Sequence, residues 1–377
     1  MRRLLPLLVL LPIPFASVAH ADGCPPANCG TTSVAPPGSE LVFVFPNGRQ
    51  GPLWAYDLGT GRKRFVLPSG VLSAEGKVFV SAVQAGRDTR FVRYDTRTGR
   101  GRRIRTAPGF WNVAGISADG RRIARFKFRK GARATIFTLD DPERSDTVRL
   151  PGTFQLDSLS QDGRRLFLVH WNHTGRYDLQ QYDRANRRRT PTRLAEPDEK
   201  MTGQATSAVA TRDGHWQLTL SVKSNRHAFI HALDLRTGVA HCIDLPLLAD
   251  LTTAGALALS PDQATLYVAG GYTGRVAAVD LSTLSLTRVV RFRAPTRYEV
   301  DIAIGPTAAV TPNGRMLAFS AGTFVWLYDT AFGIVRAEKS FKRSIIGLGF
   351  RPDGRRLLVV PQRGPTVFLD AATGKRP

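Results

Sequence analysis

Residues 260–283, SPDQATLYVAGGYTGRVAAVDLST, decide the fold. Pro261-Asp262 is turn chemistry: proline presets φ, and the aspartate side chain bonds its own backbone. Residues 266–269 form a short β-rich run that Gly270, Gly271 and Gly274 interrupt. Residues 276–279 form a second strand, ended by Asp280, Ser282 and Thr283. A lone hairpin is marginal in water, so this one requires neighbours. The chain supplies them by repeating the unit.

A turn of the type x-Asp-Gly-Arg precedes each strong strand. Its glycine recurs as Gly38, Gly76, Gly120, Gly163, Gly214, Gly314 and Gly354, and Gln263 fills the place in the opening stretch. The intervals run from 38 to 51 residues. A second marker follows each turn as an aspartate after an apolar or aromatic residue: Asp57, Asp95, Asp140, Asp183, Asp234, Asp280, Asp329 and Asp370. Several continue to Thr-Gly, where the aspartate caps the turn and glycine takes the positive φ. Units of this length with about four short strands each predict a β-propeller, because one small twisted sheet cannot bury its faces alone. No long 3.6-residue period competes. The expectation is an all-β chain with a single propeller of four-stranded antiparallel blades. Eight repeats are countable. The last stops at Pro377, before an outer strand forms, so a strand from the N-terminal segment is expected to close the ring. If the proline-broken first unit forms no blade, seven remain.

The stretch LYVAGGYTGRVAAVDLST resembles the YVTN-type propeller repeat, and SADGRR, SQDGRR and RPDGRR resemble the WD40-like repeats of TolB-type propellers. The resemblance spans residues 31–377. It implies the fold and leaves function open, because propellers host many unrelated tasks.

Ahead of the repeats, Met1-Arg2-Arg3, an apolar run over 4–18 and Ala19-His20-Ala21 predict a signal peptide over 1–21. The run is too short and too rich in proline to span a bilayer. Residues 22–32 form a short leader with Cys24 and Cys29, and 33–377 the propeller domain. Outside the cytoplasm the two cysteines would close a small disulfide loop, the competing account being two free thiols. Cys242 is expected as a packed free thiol, and the lack of paired Cys-x-x-Cys motifs disfavours a structural zinc site. The expected location is secreted, periplasmic or envelope.

The formal net charge is +23, from 44 arginines and 9 lysines against 30 acids. Arginines gather over 98–105, 120–130, 186–189 and 288–293, on the outer strands and turns of the expected blades. This predicts either a surface for an anionic envelope polymer or an incidental solvated rim. Nucleic acid is disfavoured, since no aromatic-interleaved basic strip provides a stacking platform.

The loops leading into the inner strands and the hairpins between second and third strands share one face, where a ligand or protein partner would sit. Candidates there are Trp111 and Asn112, His170, Trp171 and His173, Arg226 and His227, and Tyr298 and Glu299. The competing account makes the tryptophans plugs between blades. His170 and His173 lack a partnered carboxylate, so no metal site, cofactor or catalytic residue is assigned. The inner strands are lined by small residues with Asp157 as their only carboxylate, against a lactonase-like metal enzyme, and no G-x-S-x-G elbow occurs. The reading is a non-enzymatic scaffold for a protein or anionic polymer. The alternative is a lactonase-like or other hydrolase with its site at the channel mouth.

Overall fold

The computed structural model describes residues 33–36, 38–46, 52–128, 132–138, 145–171, 177–196, 203–223, 227–245, 255–294 and 306–377. Among these, all regular structure is β, arranged as eight sheets in chain order. We number them sheet 1 (33–67), sheet 2 (70–108), sheet 3 (112–150), sheet 4 (153–191), sheet 5 (204–245), sheet 6 (255–291), sheet 7 (308–340) and sheet 8 (345–370). Seven contain a four-stranded antiparallel meander, and these are the complete blades of a propeller. Sheet 8 has three strands, Ile345–Phe350, Arg356–Pro361 and Val367–Asp370. Sheet 5 gains an edge strand, Arg193–Leu194, parallel to Val239–Leu245.

Inner strands of sheets 2 to 4 and of sheets 5 to 8 pack side by side around a central channel, and Ile345–Phe350 returns to Ser33–Val34. Closure differs from the expectation. The described N-terminal strand does not complete sheet 8; it is the innermost strand of sheet 1, paired with Leu41–Val44. The Ser33 hydroxyl ties this strand across the ring, within 3.1 Å of both the Leu348 N–H and the Leu348 carbonyl. It also hydrogen-bonds the Thr307 hydroxyl. Farther out, the Thr366 hydroxyl donates to the Gly61 carbonyl. The ring therefore closes by packing and side-chain hydrogen bonds between sheets 8 and 1.

Alternation along the strands puts apolar side chains on both sheet faces, so the core lies between blades. Val42, Val44 and Leu58 of sheet 1 meet Ile346, Leu358 and Val360 of sheet 8. Between sheets 6 and 7, fully buried Trp326 stacks on Phe319 at 5.3 Å. Its indole N–H donates to Glu338 at 2.9 Å, satisfying the one polar atom of that ring.

The repeat turns form as read. The seven turn glycines have φ between 66° and 75°, and Gln263 adopts the same left-handed conformation at 62°. Seven of the eight aspartate markers accept backbone N–H groups two and three residues on, as Asp95 does from Arg97 and Thr98. Asp140 lies outside the described residues. Glycine turns and aspartate turns share one face, called here the turn face. The opposite one is the loop face.

Candidate functional site

Trp111 leads into the inner strand Asn112–Ile116 on the loop face, but its ring is not a free platform. The indole N–H donates to the Pro108 carbonyl at 2.9 Å, and its backbone N–H donates to the Thr89 hydroxyl. The ring packs with Val78, Val80 and Phe91 between sheets 2 and 3. The Arg125 guanidinium covers it at 4.2 Å. Trp111 is thus an inter-blade plug. The exposed aromatic of this loop is its neighbour, Phe110, 70% accessible.

Asn112 is exposed at the start of its strand. His170, next to last in the strand Arg165–Trp171, stacks on Phe154 at 4.4 Å and, against the expectation that it lacks a partnered carboxylate, bonds Asp178 through Nδ1 at 3.0 Å. His227 is exposed, and its carbonyl accepts the Lys223 N–H across the hairpin. These residues stand on three successive sheets, 3, 4 and 5, each engaged with its own sheet. Trp171 is described only as backbone, paired with Thr153 and Tyr177. His173, Arg226, Tyr298, Glu299, Cys24 and Cys29 lie outside the described residues. Among the described residues no group of three His, Cys, Asp or Glu could hold a metal ion.

The charge is organised more clearly than the loop face. On sheet 2, strands Asp88–Asp95 and Gly101–Pro108 place Arg93 directly opposite Arg102, and Arg103 opposite Val92. Arg90, Arg93, Arg102 and Arg103 are all exposed. None forms an ion pair with a described carboxylate. Buried Arg125 lies on the neighbouring sheet, its guanidinium 5.8 Å from the Phe91 ring.

A second cationic feature lies on the turn face. A groove of about 610 Å³ crosses the turns of sheets 3, 4 and 5. It is lined by Arg121, Arg122, Arg164, Arg165 and Arg236 against Asp119, Asp162 and Asp213. The carboxylates are engaged in the turns. Asp119 accepts from Ser117 and from the Arg121 N–H, and Asp213 from the His215 N–H and Arg236. Burial works to raise Asp162, but the Ser160 hydroxyl and the Arg164 N–H outweigh it and hold that carboxyl below its ordinary range. Five guanidinium groups therefore face three carboxylates, and the groove carries an excess of positive charge. Sequence reasoning missed it, because each Asp-Gly-Arg turn reads locally and only the ring brings three together.

No family model matches the chain, and no curated protein matches it. Solved structures do. The dihydro-heme d1 dehydrogenase NirN in complex with DHE is 14% identical, with a TM-score of 0.57 over 91% of this chain and 74% of that one. A eukaryotic initiation factor is 14% identical, with a TM-score of 0.53 over 92% and 86%. The dipeptidyl peptidase 4 of Porphyromonas gingivalis is 12% identical, with a TM-score of 0.55 over 93% of this chain and 59% of that one. Enzymes and an initiation factor share the architecture. At these identities the likeness shows the propeller fold alone.

Proposed function

We propose that this chain is an exported, non-catalytic propeller that binds an anionic envelope polymer through its arginine surfaces. The observation that carries the reading is Arg93 directly opposite Arg102 on one face of the strand pair, with Arg90 and Arg103 on its other face and no described carboxylate paired to any of the four. Like charges directly opposite on a sheet destabilise it, by roughly 0.2–1 kcal/mol for a close pair. A polyanion laid across these strands would turn that repulsion into attraction, and the net charge of +23 would steer it there. The turn-face groove adds a second, concave arginine surface. Export rests on the apolar run over 4–18, and the absence of catalysis on the small-residue lining of the inner strands.

Dextran sulfate provides the test polymer. Binding is expected to weaken at least tenfold as salt rises from about 50 to 200 mM, because exposed charges beyond a Debye length are screened. The Arg93→Gln/Arg102→Gln double variant should bind more weakly while melting no lower than the parent. Binding indifferent to salt, or unchanged in the double variant, would refute the proposal.

A further inference from the structure

The repeats can be laid over one another, and two positions break the pattern. Six residues before the turn glycine, the inner strands of sheets 2, 3, 5, 6, 7 and 8 carry Gly70, Ala114, Ala208, Leu257, Ala308 and Leu348. Sheet 4 carries Asp157. Three residues after the turn glycine, every other repeat carries Leu, Ile or Phe, as at Leu166 and Leu266 in the flanking sheets. Sheet 5 carries Gln217. Both exceptions are buried, Asp157 5% and Gln217 1% accessible. They come from adjacent sheets, and both line one cavity at the turn-face end of the channel.

That cavity holds about 100 Å³ and is lined by residues of sheets 1 to 5. That volume admits a small molecule of a few heavy atoms. Its walls are otherwise apolar or small, including Phe45, Leu72, Ile116 and Val209. Asp157 is the only ionisable side chain among its described lining. A bulge between Leu156 and Ser158 places it there: the extra residue breaks the alternation that directs Leu156 into the apolar contact with sheet 3. Among the described residues neither amide atom of Gln217 meets a hydrogen-bond partner. A buried carboxamide with its N–H₂ and oxygen unmatched, beside a buried carboxyl, is how small-ligand sites are built: apolar walls and a few converging polar groups.

We infer that this cavity binds a small organic ammonium compound that also carries an oxygen, of amino-alcohol size. Asp157 would take the ammonium group, its carboxyl ionising as the cation binds. The Gln217 oxygen would accept a second ammonium N–H, while its N–H₂ donates to the ligand oxygen. The volume limits the ligand to a few heavy atoms. This site adjoins the turn-face groove, with Leu235 lining both, but is separate from the sheet 2 arginines, and the Arg93→Gln/Arg102→Gln variant should retain it.

Ethanolamine is the probe, with ethylene glycol as its neutral match in size. Calorimetric titration and thermal shift should show ethanolamine binding to the parent at concentrations up to about 10 mM. Asp157→Asn and Gln217→Leu should each weaken binding at least tenfold, and ethylene glycol should bind at least tenfold more weakly than ethanolamine. Gln217→Leu installs the residue type of the other repeats, so its ligand-free melting temperature should equal or exceed the parent's, separating lost binding from lost folding. No binding of ethanolamine by the parent, undiminished binding by both variants, or equal binding of ethylene glycol would overturn the inference.

Discussion

At the scale of single residues, the side chains that depart from the repeat are the informative ones. Gln263 sits at φ 62°, where the equivalent positions use glycine. Its side chain explains the exception, since Oε1 accepts the Arg212 N–H of the preceding sheet's turn at 2.6 Å. Glycine could not make that bond between blades. Asp157 departs differently: only burial acts on its carboxyl, pushing its pKa up to about 7. A folded value above the unfolded one means that the folded chain prefers the protonated acid. The cost of ionising it therefore grows as pH rises from about 4 and levels off above 7. Asp157→Asn, neutral at every pH, should stabilise the ligand-free protein by up to a few kcal/mol at pH 8. The gain should be much smaller at pH 5. Urea unfolding at both values checks this, and a pH-independent difference would mean that Asp157 is solvated.

At the scale of elements, the turns were almost wholly legible. Each Asp-Gly turn is specified by a few adjacent residues, so no distant contact is needed to recognise it. What surrounds each turn was not legible, and that environment sets the cost of changing it. A Cβ added at Gly38 would meet nothing within 4 Å, so Gly38→Ala isolates the cost of the left-handed backbone at φ 68°. At Gly120 the added carbon would lie 2.6 Å from the Val78 Cβ, on the neighbouring blade. Gly38→Ala should thus cost about 1 kcal/mol, and Gly120→Ala that cost plus an overpacking penalty of about 1–3 kcal/mol. Equal losses in urea unfolding would mean that sheets 2 and 3 do not meet at this turn. The same limit applies to the loop face. Trp111 reads in sequence either as a ligand anchor or as a plug between blades, and the approach of Phe91 and Arg125 makes it a plug.

At the scale of the whole molecule, the ring was expected from the repeat, but its means of closure was not. Closure joins residues more than 300 positions apart, and local patterns carry no information about such pairs. Ser33 shows the point: it is read as the first residue of the propeller, but nothing near it in sequence says what it touches. In the ring it is 3% accessible and bonded to Leu348, 315 positions away. Removing its hydroxyl leaves the Leu348 N–H and the Thr307 hydroxyl without this partner in a buried seam. Each buried group stranded in this way costs about 1–3 kcal/mol. Ser33→Ala should therefore destabilise the protein by about that amount, although it deletes a single oxygen. The loss should be local before it is global, because the seam between sheets 8 and 1 is the one junction in the ring without chain continuity. Hydrogen exchange in Ser33→Ala should accelerate first in Ile345–Phe350 and Leu41–Val44, with protection in Trp216–Val222, on the far side of the ring, unchanged. Uniform acceleration around the ring would show that the seam opens only with global unfolding. No change anywhere would show that Ser33 does not close the propeller.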